Sequence, residues 1–155
     1  MTLFDSIIKP ILLYTCEIWG HMKNNENISN MGKSVIERFH FKICKQVIGV
    51  NRKASNIATI AELGRYPLFI DIQTMVIKYL LRFKTIKKER LLFKAYQKEI
   101  QNINEKRNWI YNAKNILDKN GLSYIFVNHM NSSAVTKQNI KETSRRLNSR
   151  SKDIY

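Results

Sequence analysis

Between Gly49 and Asp71 the chain reads GVNRKASNIATIAELGRYPLFID, a stretch that two glycines and a proline cut into short pieces. Long segments with apolar residues at helical spacing lie on either side, so this stretch must reverse the chain between helices. Gly49 suits the left-handed turn that ends one helix, the Ser55 hydroxyl suits the N-cap of the next, and Gly64 suits its end. Pro67 fits the first turn of a third helix, where its missing N–H has no intrahelical partner. Arg52, Lys53, Asn56 and Arg65 place donors along this elbow, on backbone that should be exposed. That makes the elbow the first candidate for contact with an anionic partner.

The flanking segments specify the fold class. Thr2 to Gly20 reads as a strongly apolar helix, with Leu3, Ile7, Ile11, Tyr14 and Ile18 in one stripe and Phe4, Ile8, Leu12 and Trp19 widening it. A face that wide calls for cover on more than one side, and Pro10, unable to donate to the Ser6 carbonyl, predicts a kink. His21 to Asn30 is polar and reads as a loop. Ser34 and Glu37 have the spacing of a capping box for a helix whose inward seam is Ile36, Phe39, Ile43, Val47 and Val50. Arg38, Lys42 and Lys45 then form a basic stripe on the opposite side. From Pro67 to Ile86 a narrow polar strip of Asp71, Thr74, Lys78, Arg82 and Thr85 runs along an otherwise apolar helix, which places that helix at the centre of a bundle with one edge in water.

Glu89 to Asn104 predicts a further helix with Leu92, Tyr96 and Ile100 inward, open to being continuous with the one before. Asn108 is the expected cap of a helix in which Trp109, Ala113, Ile116 and Leu117 share a face, ended by Asn120 and Gly121. Tyr124 to Val127 could be a strand, but no second strand is evident to pair with it, so Leu122 to Met130 reads as a short packed helix. From Asn131 the sequence is rich in Ser, Asn and basic residues and reads as a disordered tail. The expectation is an all-α, irregular multi-helix bundle: a helical domain over 1–130 and a basic polar tail over 131–155.

Charge narrows the function. The 27 Lys and Arg against 12 Asp and Glu leave +15 and a pI near 10.0. So large an uncompensated excess costs self-repulsion and favours a polyanionic partner, nucleic acid before membrane. No apolar run approaches bilayer length and no basic region opens a signal peptide, so an intracellular protein, nuclear or cytoplasmic, is expected. Between Asp71 and Glu89 there is no acid, while Lys78, Arg82, Lys84, Lys87 and Lys88 fall there. Cys16 and Cys44 lack the paired spacing of a zinc site or a disulfide framework and read as small buried hydrophobes in a reducing compartment. His21, His40 and His129 lie far apart, the acids are sparse, and no nucleotide-cradling glycine loop occurs. No catalytic residue, metal site, cofactor or small-molecule substrate is therefore expected. The candidate contacts are Arg52, Lys53, Asn56, Arg65, Lys78, Arg82, Arg38, Lys42 and Lys45, meeting phosphates and not reading bases. Tyr66, Tyr79, Trp109 and Tyr124 could stack on bases but sit at spacings typical of core.

LFDSIIKPILLYTCEIWG (Leu3–Gly20), IERFHFKICKQVIGVNRKASNIATIAELGRYPLFIDI (Ile36–Ile72) and NWIYNAKNILDKNGLSYIF (Asn108–Phe126) together resemble the region after the catalytic core in LINE-type non-LTR retrotransposon reverse transcriptases. In that family the region is the thumb and the start of the following linker, a helical module beside primer and template. The chain lacks the paired aspartates that hold a polymerase's metals and the downstream Cys and His cluster of many relatives. The resemblance therefore implies a truncated, non-catalytic fragment of an RNA-directed DNA polymerase, contacting RNA, an RNA–DNA hybrid or duplex DNA, with a polymerase core as a further partner. A different class of function is a helical interaction module that docks through Thr2–Trp19 or self-associates, and a third expectation is a remnant without function.

Overall fold

The computed structural model describes residues 3–20, 34–103, 105, 108–131, 145 and 149. The expected polar loop at 21–30, with His21, and the tail beyond 131 lie outside the described residues, apart from Arg145 and Ser149. Everything regular among the described residues is helical: a π-helical turn, Phe4–Ile8, then α1 (Lys9–Leu12), α2 (Cys16–Trp19), α3 (Val35–Ile48), α4 (Asn56–Glu62), α5 (Leu68–Arg82), a 3-10 turn at Phe83–Thr85, α6 (Leu91–Gln101), α7 (Trp109–Lys119) and α8 (Ser123–Asn131). The apolar run at Tyr124–Val127 is thus helical. No helix among the described residues is long and apolar enough to cross a membrane.

Caps set the boundaries. Gly49 has φ +78°, and the Gly49 and Val50 N–H groups return to the Lys45 carbonyl, closing α3 in a Schellman turn. The same closure ends α4, where Arg65 N–H reaches the Ile60 carbonyl across Gly64 at φ +60°. The Ser55 hydroxyl accepts from Ala58 N–H at the start of α4, and the Asn108 side chain accepts from Ile110 and Tyr111 N–H at the start of α7. Pro67 stands one place earlier than expected, as the N-cap of α5 with ψ 141°. Ile86 is extended, ψ 136°, so α5 and α6 are separate helices.

α5 lies at the centre, as its narrow polar strip requires. Val76, Ile77, Leu80 and Leu81 pack with Tyr96 of α6, Ile110, Ala113, Ile116 and Leu117 of α7, and Ile125 and Phe126 of α8. At its N-terminal end Phe69 meets Phe41, Cys44 and Ile60 of α3 and α4, and Ile72 meets Leu13, Cys16 and Trp19. Gly20 comes so close to α5 that a Cβ there would collide with Ile72 Cγ2.

Two expected faces are corrected. At Pro10, where a kink is expected, Lys9 N–H bonds to the Phe4 carbonyl in π fashion and the helical turns run on through the proline. The interruption falls at 13–15, where Thr15 is left-handed at φ 51°. Phe4, Leu13 and Cys16 are buried, whereas Leu3 (67%), Ile7, Ile11, Tyr14 (76%) and Ile18 face outward; the segment is covered on one side only. In α3 the interior face is Glu37, His40, Phe41 and Cys44, while Phe39, Val47 and Val50 are exposed. The apolar pattern misplaced this face because two of its buried positions are polar. Leu92, expected inward on α6, is exposed as well, while Tyr96 is buried and Ile100 packs beside it.

Candidate nucleic-acid interface

α3 and the elbow form the walls of a groove of about 340 Å³, lined by Arg38, Phe41, Lys42, Lys45, Gln46, Val50, Arg52 and Asn56. On α3 the spacing of 38, 42, 45 and 46 puts these side chains on one side of the helix. The Schellman turn at Gly49 then folds the chain back so that Arg52 and Asn56 stand opposite. Lys45 fastens this arrangement: its side chain is largely buried, and Nζ donates to the Arg52 carbonyl at 2.8 Å. Its charge remains in the groove, but its geometry belongs to the elbow. Arg38, Lys42 and Arg52 are exposed and form no ion pair among the described residues, and the lining contains no acid. Five of the nine sequence candidates therefore converge on one concave surface. Phe41, Gln46 and Val50, which charge patterning does not single out, complete it. Lys53 is exposed on the same elbow, where its backbone N–H is held by the Asn51 side chain.

Arg65 has a different role from the one expected of it. Its guanidinium makes a two-pronged bond to Asp5, Nη1 to Oδ2 at 3.0 Å and Nη2 to Oδ1 at 2.5 Å, and Nε donates to His40 Nε2 at 3.3 Å. It also lies over the Phe4 ring, 4.7 Å from the centroid. The Arg65 hydrogen bond holds the Asp5 carboxyl below the ordinary carboxylate range and raises Arg65 in turn. Because His40 Nε2 accepts, the geometry assigns the ring proton to Nδ1. Nδ1 faces Glu37 Oε2 at 3.6 Å, and neither atom has a hydrogen-bond partner among the described residues. The other Glu37 oxygen accepts from Phe69 N–H at 2.7 Å. Glu37 thus caps α5, in place of the capping box on α3 read from its spacing to Ser34.

The hollow beside Arg65 is lined by Asp5, Lys9, Tyr66 and Asp71 among others. Its charges are matched within it, since Lys9 pairs with Asp71 at 2.7 Å as Arg65 pairs with Asp5. It offers no net attraction to an anion. Lys78 and Arg82 are exposed, one turn apart on α5. Measured from Phe69, where α3 meets α5, they lie roughly 13–20 Å along the helix at 1.5 Å per residue. No contact brings them into the groove; they form a separate basic strip.

The aromatic candidates are largely structural. Tyr79 stands edge-on to Trp109 and Phe83, and Trp109 Nε1 donates to the Glu17 carbonyl at 2.9 Å. Tyr66 and Tyr124 are more exposed. Cys16 and Cys44 are fully buried and unpaired with each other, and burial pushes the Cys16 thiol up to about 12. No group of three potential metal ligands gathers among the described residues. No protein family, curated protein or solved structure matches the chain.

Proposed function

We propose that this chain is a non-catalytic, helical nucleic-acid-binding module of an intracellular protein, related to the thumb of non-LTR retrotransposon reverse transcriptases. It holds the phosphate backbone of RNA or of a template–primer. The observation that carries the reading is the convergence of Arg38, Lys42 and Arg52, cations without acidic partners among the described residues, on one groove of a chain with net charge +15. Such a surface attracts a polyanion by releasing its condensed counterions and needs no catalytic group to do so. The family relation rests on the sequence likeness, and the absence of paired aspartates from the sequence removes two-metal chemistry from the reading.

The test is fluorescence anisotropy with an RNA–DNA hybrid across a salt series, for the parent and for the triple variant R38A/K42A/R52A. The parent should lose about 0.9 log unit of affinity per log unit of salt for each phosphate contacted. The variant should bind at least tenfold more weakly at low salt, with a slope smaller by about 2 to 3. Equal affinities and equal slopes would refute the assignment.

A second reading has its own observation. The exposed stripe of Leu3, Ile7, Ile11, Tyr14 and Ile18 is the kind of surface a protein partner covers. Light scattering that finds a salt-insensitive oligomer, together with no affinity for nucleic acid, would favour that interaction module.

A further inference from the structure

We infer that the groove between α3 and the elbow seats one nucleotide of an unpaired strand, base included, so that single-stranded nucleic acid is preferred to duplex. The inference rests on the binding reading above and adds what its chemistry selects. Three features of the lining bear on it. The first is shape: a hollow of about 340 Å³ is near the lower end of the roughly 300–1,000 Å³ that small-molecule sites occupy. That suits one nucleotide, whereas a duplex presents phosphates on a convex ridge and keeps its bases stacked inside.

The second feature is the apolar floor. Phe41, only 3% exposed, lies beneath the groove, and Val50, 40% exposed, offers its apolar surface. Phosphate gains nothing from apolar surface, but the face of a base removed from its stack does. The third is the pair of amides. Gln46 and Asn56 also line the groove, and each side chain carries both a donor and an acceptor, the complement of a base edge. Arg38, Lys42 and Arg52 supply the phosphate contacts around them. A bare phosphate or a duplex would use only the cations, whereas a splayed nucleotide engages the cations, the floor and the amides. Lys45 is a positioning residue here, since its bond to the Arg52 carbonyl keeps the elbow wall facing α3.

The experiment compares a single-stranded oligoadenylate with a blunt duplex of equal length in anisotropy titrations of the full chain. Both are run at low and at near-physiological salt for three proteins: the parent, Q46A/N56A and R38A/K42A/R52A. The parent should favour the single strand at least tenfold at the higher salt. Q46A/N56A should lower single-strand affinity about five- to tenfold and duplex affinity at most twofold, with a melting curve like the parent's to show that the fold is intact. The charge variant should weaken both ligands. Adenosine monophosphate at millimolar concentration should displace the bound single strand, whereas inorganic phosphate at matched ionic strength should not. Equal affinity for the two ligands, or single-strand binding indifferent to Q46A/N56A, would overturn the nucleotide seat while leaving phosphate binding in place. Failure of the parent to bind either ligand at low salt would overturn both readings.

Discussion

Arg65 and Glu37 make clear how far a side chain's chemistry depends on partners remote in sequence. Arg65, on an exposed-looking elbow, is an anion contact by every local criterion, yet Asp5, sixty residues earlier, takes its guanidinium. Glu37, 1% exposed, accepts from Phe69 N–H and faces His40. Truncating Glu37 to alanine leaves the Phe69 N–H without its acceptor, which costs about 1–3 kcal/mol, and removes the carboxylate that faces the already unbonded His40 ring nitrogen. Glu37→Ala should therefore destabilise the fold by about 1–3 kcal/mol in urea titrations. Glu37→Gln retains a carbonyl oxygen for Phe69 N–H and should lose less than half of that. Equal losses for the two variants would mean that the cap on α5 contributes little.

At the scale of elements, features set by local stereochemistry were legible in the sequence. Gly49, Ser55, Gly64, Asn108 and Gly121 take the turn and cap positions read for them, because such positions depend on a few neighbouring residues. The narrow polar strip of α5 placed that helix at the centre. The faces of α3 and of the N-terminal segment were not legible, for a different reason in each. On α3 the interior is marked by Glu37 and His40, whose burial is secured by Arg65 and Phe69 from other elements. In the N-terminal segment apolar residues occur on every side, and α5 selects the side that packs. The groove was half legible: the basic stripe and the elbow were each evident, but their approach depends on the turn after Ile48 and the Lys45 clasp. Contact between α2 and α5 turns on Gly20, whose φ of −64° would suit alanine. An added methyl should nonetheless cost about 1–3 kcal/mol, because Ile72 must move. In an Ile72→Ala background the same Gly20→Ala change should be neutral or stabilising, and the double-mutant cycle measures that reversal. Additive effects would place the crowding elsewhere.

For the whole molecule, net charge sets two responses to salt that run in opposite directions. A charge of +15 on 155 residues opposes compaction through repulsion among exposed cations. Added salt shortens the screening length from about 10 Å at 0.1 M to about 3 Å at 1 M and relieves that repulsion. The free protein should therefore melt at a higher temperature as salt rises. Under the binding proposed above, nucleic acid would relieve the same repulsion by neutralising the groove and would stabilise by mass action, about 2.7 kcal/mol at a hundredfold excess over Kd. For a chain of this size that corresponds to a rise in melting temperature of roughly 5–10 °C. The gain should be largest at low salt and fade as binding weakens, so the melting curves of free and saturated protein converge with increasing salt. Differential scanning fluorimetry with and without an RNA–DNA hybrid reads both limbs. If the gain from nucleic acid stayed constant across the series, phosphate contact would not be its source; if the free protein ignored salt, its cations would already be balanced by neighbouring acids.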